Sequence, residues 1–60
     1  MKWSELERKA VKHGFKFERH GKKHDIYYNP QTEIRIEIER HGSTEVRNGL
    51  YNDLKKKIGF

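Results

Sequence analysis

Apolar positions along the chain change period from one segment to the next. In SELERKAVKHG, Leu6 and Ala10, with Val11 and His13 beside them, form one side of a helix, and Arg8, Lys9 and Lys12 lie largely on the other. Ser4 followed three residues on by Glu7 is the pattern of a capping box, and Gly14 suits the left-handed residue that ends a helix. The spacing therefore predicts a helix over about Glu5–His13. FKFER then alternates, predicting a strand with Phe15 and Phe17 on its buried side. Gly21 interrupts the pattern, and DIYYN reads as a second short strand closed by the turn residues NPQT. EIRIEIER carries the clearest alternation: Ile34, Ile36 and Ile38 face one way, and Glu33, Arg35, Glu37 and Glu39 the other, so one face is buried and the other wet. After the loop HGSTEVRNG, in which Asn48 can cap, Leu50, Leu54 and Ile58 recur every four residues with Tyr51 beside them and predict a second helix. Lys55, Lys56 and Lys57 fall in its last turn, where the helix dipole favours cations, and Gly59 is a second terminating glycine.

Each predicted helix has one apolar stripe and the predicted sheet has one apolar face. The simplest packing is an α+β fold of order α-β-β-β-α, with both helices on one face of a three-stranded antiparallel meander. This is the arrangement of the double-stranded-RNA-binding-domain fold, and a fold alone assigns no function. Sixty residues make a single domain, 1–60, with a small core. Only 32% of residues are hydrophobic and 38% are charged, so the seven aromatics must supply much of the buried area. The absence of cysteine excludes a disulfide framework and a thiolate zinc site. No apolar run approaches the roughly 20 residues that span a bilayer, and no signal-peptide pattern opens the chain, so a cytoplasmic protein without membrane contact is expected.

The net charge of +5 is unevenly spread. Residues 1–24 carry eight Lys or Arg against three acids, residues 25–45 two against five, and residues 46–60 four against one. If the two basic ends meet in space, they form a positive surface of the kind that binds polyanions; dispersed, the same charges only keep the protein soluble.

Four histidines are the candidates for chemistry. His13 falls at a helix end and suits a capping role; His20 lies near a strand end; His41 opens the loop before Gly42 and Ser43; His24 begins the second strand directly after Gly21, Lys22 and Lys23. His20 and His24 are four apart, but across a turn that spacing does not set two ligands on one face, so no metal site and no cofactor are expected. Ser4 is accounted for as a cap, and Ser43 lacks the strained elbow of a nucleophile. His24 has better chemistry. An imidazole exchanges protons near neutral pH, RNA carries its own 2′-hydroxyl nucleophile, and two adjacent lysines would hold the phosphate and offset its growing charge. From these residues alone a solvated basic turn is the commoner outcome.

Taken together, the segments resemble the HicA family of toxins, the mRNA-cleaving partners of HicA–HicB toxin–antitoxin pairs. A lysine-bearing helix ends in Gly14-Phe15; GKKHDIYYNP leads from a glycine through a histidine into a strand and a proline turn; and HGSTEVRNGLYNDLKKKIGF runs from a histidine to an apolar helix ending in glycine. The resemblance covers nearly the whole chain. It implies a metal-independent endoribonuclease whose catalytic histidine is His24, and a HicB-like antitoxin as protein partner. Relatives commonly carry a small Gly-Ser or Gly-Gly pair before that histidine, where this chain has Lys22-Lys23. Charge and resemblance together make Lys22, Lys23, Lys9, Lys12, Arg47 and His41 the candidate RNA contacts. Two other functions are compatible with the sequence: a non-catalytic RNA-binding module, and a small interaction domain whose acidic third strand contacts protein. Against the first, a duplex-binding domain of this type gathers lysines at the start of its last helix, and here only Arg47 stands there.

Overall fold

The computed structural model describes all 60 residues, in the order α1 (Trp3–Lys12), β1 (Lys16–His20), β2 (His24–Asn29), β3 (Ile34–Glu39) and α2 (Asn48–Ile58). The predicted α-β-β-β-α order and antiparallel meander are both present: β2 is the central strand, and β1 and β3 flank it antiparallel.

Helix α1 buries Trp3, Leu6 and Ala10, spaced at i, i+3 and i+7 along one face. It starts two residues earlier than the sequence predicts, and the Ser4–Glu7 capping box does not form. Lys2 is the extended cap residue, and its N–H donates to the Glu5 carboxylate at 3.3 Å. The early start has a tertiary cause. The Trp3 and Ser4 N–H groups donate to the carbonyls of Thr44 and Gly42 at 3.0 and 3.1 Å, so the loop before α2 satisfies donors that the cap would otherwise serve. Glu7 is thereby free to accept the Tyr27 hydroxyl. At the other end Gly14, with φ +100, turns the chain into β1, and a Cβ there would lie 3.3 Å from the Asn29 amide.

The register pairs Tyr27 with Ile36 and Asp25 with Ile38. Ile36, Ile38 and Tyr27 therefore share the face that meets the helices, where they pack with Leu6, Ala10, Phe15, Leu54 and Ile58. One predicted core position departs from this. Phe15 is 1% exposed but Phe17 is 48% exposed. Phe15 folds under the end of α1, its N–H donating to Ala10. Phe17 lies on the edge strand, next to a bulge between Phe17 and Arg19, with its ring against Tyr27 and His20 at the rim.

Helix α2 contributes Leu54 and Ile58 to the core, while Leu50, predicted on the same stripe, is 43% exposed. Val46, in the preceding loop, is buried and joins the core in its place. Asn48 is the first helical residue rather than the cap; Arg47 occupies the cap position without a side-chain bond. Gly59 ends the helix at φ +99 as predicted, its N–H donating to the Lys55 carbonyl at 2.8 Å.

Candidate functional site

Side chains alternate across a strand, so β2 divides its polar residues between two faces. Asp25, Tyr27 and Asn29 point to the helical side. His24 and Tyr28 point to the opposite side with Arg35, Glu37 and Glu39 of β3. Arg35 ties that open face together: its guanidinium lies 4.4 Å over the Tyr28 ring and pairs in a fork with the Glu18 carboxylate at 2.9 and 3.1 Å. Both partners register the pairing. The bond from Arg35 holds the Glu18 carboxyl below its ordinary range, and Glu18 in turn raises the Arg35 guanidinium.

His24 stands at the end of this face where the β1–β2 turn arrives. Its backbone partner across the sheet is Glu39, and its Nε2 lies 3.4 Å from a Glu39 carboxylate oxygen. The carboxylate approaches one ring nitrogen and leaves Nδ1 clear of it. The imidazole is half-buried and borders two hollows. A shallow one of about 210 Å³ is lined by Gly21, Lys22, Lys23, His24 and Glu37. A groove of about 370 Å³ runs toward α2, where His24 meets Glu37, Glu39, Glu45, Arg47 and Leu50.

Of the residues read from the sequence, His24, Lys22, Lys23 and Arg47 therefore gather around one imidazole. Lys9 and Lys12 do not: they line a separate hollow on α1 with Glu5 and Arg8, and α1 packs on the other face of the sheet. His41 is exposed in the loop after β3 and borders neither hollow at His24. His20 and His24 leave opposite faces of the sheet, His20 registering with Asp25 and His24 with Glu39.

The sequence reading missed the carboxylates. Glu37, Glu39 and Glu45 border the groove beside His24. The amino terminus bonds Glu45 and lowers its pKa, with Lys2 adding a smaller effect. These carboxylates make that side of His24 negative, whereas the lysines make the turn side positive. Alternation in β3 marks Glu37 and Glu39 as exposed; only the strand register sets Glu39 against His24.

A family model described as "HicA toxin of bacterial toxin-antitoxin" matches residues 3–60. No curated protein and no solved structure gives a match. No helix is long and apolar enough to cross a membrane. With nearly its whole length matched, the chain belongs to the HicA toxin family, as the toxin of a toxin–antitoxin system that implies an antitoxin partner.

Proposed function

We propose that this toxin is a cytoplasmic endoribonuclease that cleaves mRNA without a metal ion, with His24 as its catalytic acid–base residue and a HicB-like antitoxin as its neutralising partner. One observation carries the reading. A half-buried imidazole, with a carboxylate at 3.4 Å, borders a hollow that Lys22 and Lys23 also line.

The chemistry uses the RNA, these side chains and water. The 2′-oxygen attacks the adjacent phosphorus, a new P–O bond forms, and the bond from phosphorus to the 5′-oxygen breaks. His24 takes the 2′-hydroxyl proton while water protonates the departing 5′-oxygen, or, in its charged form, His24 gives that oxygen a proton while water takes the one from the 2′-hydroxyl. Such transfer contributes about 10²–10⁴-fold. Lys22 and Lys23, both exposed, face the charge that grows on the non-bridging oxygens. Arg47, at the far side of the groove among Glu37, Glu39 and Glu45, is less favourably placed for a phosphate than the two lysines.

His24→Ala in the full chain tests this. Cleavage of RNA and growth inhibition should fall about 100-fold or more, with RNA binding and unfolding temperature unchanged. A folded His24→Ala variant that cuts at the parent rate would leave a basic turn, and a non-catalytic RNA-binding or interaction role would replace the nuclease.

A further inference from the structure

Behind the turn that presents His24 lies a charged cluster that the nuclease reading does not use. Asp25 follows His24 in β2 and leaves the opposite face of the sheet. One of its carboxylate oxygens accepts from His20 Nδ1 at 2.7 Å and from Arg40 Nε at 3.0 Å. The same guanidinium reaches further: Arg40 Nη2 donates to the Gly21 carbonyl at 2.5 Å. Gly21 is held on its other side too, its N–H donating to the His24 carbonyl at 2.7 Å. A Cβ at position 21 would lie only 2.7 Å from that carbonyl oxygen, so the turn closes this tightly only with glycine.

These contacts form a chain of custody for one peptide segment. Arg40 stands one residue beyond Glu39, the strand partner of His24. Its planar fork binds two acceptors at once, Asp25 on β2 and Gly21 in the turn, which an ammonium group cannot do in the same geometry. The turn it grips is otherwise Lys22 and Lys23, two exposed side chains that supply no packing. Without the fork, the segment between His20 and His24 keeps only the Gly21 bond to the very residue it must orient.

We propose that Arg40 is a positioning residue for His24: its fork to Asp25 and the Gly21 carbonyl fixes the turn, and through it sets the His24 imidazole against the reacting phosphate. This rests on His24 being catalytic. The effect sought is on the chemical step, since a displacement near 1 Å at a reacting group costs up to about 100-fold.

The experiment uses the full chain with Arg40→Gln, Arg40→Lys and, in parallel, His24→Ala. Single-turnover cleavage of an RNA oligonucleotide, its affinity, the unfolding temperature and amide exchange at Gly21 are read for each. Arg40→Gln should lower the single-turnover rate about 10- to 100-fold, leave affinity for the oligonucleotide unchanged, and speed exchange at Gly21 without speeding it at Ile36 or Leu54. Arg40→Lys keeps the charge without the fork, and its rate should stay low. Full recovery in Arg40→Lys would overturn the proposal in favour of charge alone. So would a rate loss accompanied by faster exchange throughout the core, which marks a role in stability only. An inactive His24→Ala beside a fully active Arg40→Gln sinks the positioning role by itself, whereas an active His24→Ala removes the catalytic reading and this proposal together.

Discussion

The sheet has two turns, and they are held in opposite ways. The β2–β3 turn, Pro30–Glu33, is governed by Asn29, which is 3% exposed. The Asn29 amide donates to the His13 carbonyl at 3.1 Å and accepts the Gln31 N–H at 2.9 Å, and its backbone carbonyl takes the Glu33 N–H at 2.7 Å. One buried side chain thus closes the turn and fastens it to the end of α1. Glu33 sits there at φ 59, a left-handed conformation that the closed turn imposes on it. The β1–β2 turn has no buried side chain. It is held from a distance by the Arg40 fork, and its own residues face water. A turn braced from within serves the fold; a turn braced from outside leaves its side chains free for a ligand.

The largest difference should come from Asn29→Ala. It strands the His13 carbonyl and the Gln31 N–H in a partly buried site, a loss of about 1–3 kcal/mol in urea unfolding. RNA cleavage by the folded fraction should persist. A loss under about half a kcal/mol, the usual size for exposed sites, would mean that the two turns are held alike. The double change of Lys22 and Lys23 to Ala should do the reverse. Stability should move by less than about half a kcal/mol, while the salt dependence of RNA binding flattens by about one to two units, at roughly 0.7 per phosphate contact on a single strand. An unchanged slope would take both lysines out of the interface. The smallest effect concerns pH. The hydrogen bond from His20 first, and that from Arg40 second, hold the Asp25 carboxyl below its ordinary value. A carboxylate depressed by folding contributes stability that is complete above the usual carboxylate range and lost as pH falls through its folded value. The protection of the Gly21 amide, its exchange relative to the intrinsic rate at the same pH, should therefore fall on acidification below that range, and Asp25→Asn should lower it at neutral pH and flatten the response. Exchange at Gly21 that tracks global unfolding at every pH would contradict this.

Much of the fold was legible because its signals are local. Ile34, Ile36 and Ile38 alternate without interruption, and Gly14 and Gly59 stand where left-handed residues are needed, so β3 and both helix ends follow from short windows. The departures share a different origin. Phe17 keeps the alternation, but it lies on an edge strand beside a bulge. Ser4 and Glu7 have the spacing of a cap, yet the loop at Gly42–Thr44 and the Tyr27 hydroxyl engage them instead. Leu50 keeps the helical period, yet Val46 from outside the helix takes the core position. At the cap and in the strand pairing a partner distant in sequence decides; at Leu50 the loop just before the helix does. The candidate site divides along the same line. His24, Lys22 and Lys23 are contiguous and readable, whereas Glu39 and Arg40 reach the site only through pairing of β2 with β3. Lys9 and Lys12 illustrate the converse: charge counts them with the lysines of the turn, and the sheet separates them.

The bulge in β1 also bears on how the protein behaves in a crowd. An open three-stranded sheet has two free margins, here β1 and β3, and each invites further strands, from another copy or from a fibril. Every residue of β1 is exposed, and the strand offers Lys16, Glu18, Arg19 and His20 along its length, with the register broken between Phe17 and Arg19. A charged, kinked margin is a poor template for strand addition. It leaves Phe17 as the one large apolar group on that border, too isolated to seed stacking, and so growth of the sheet beyond β1 is disfavoured.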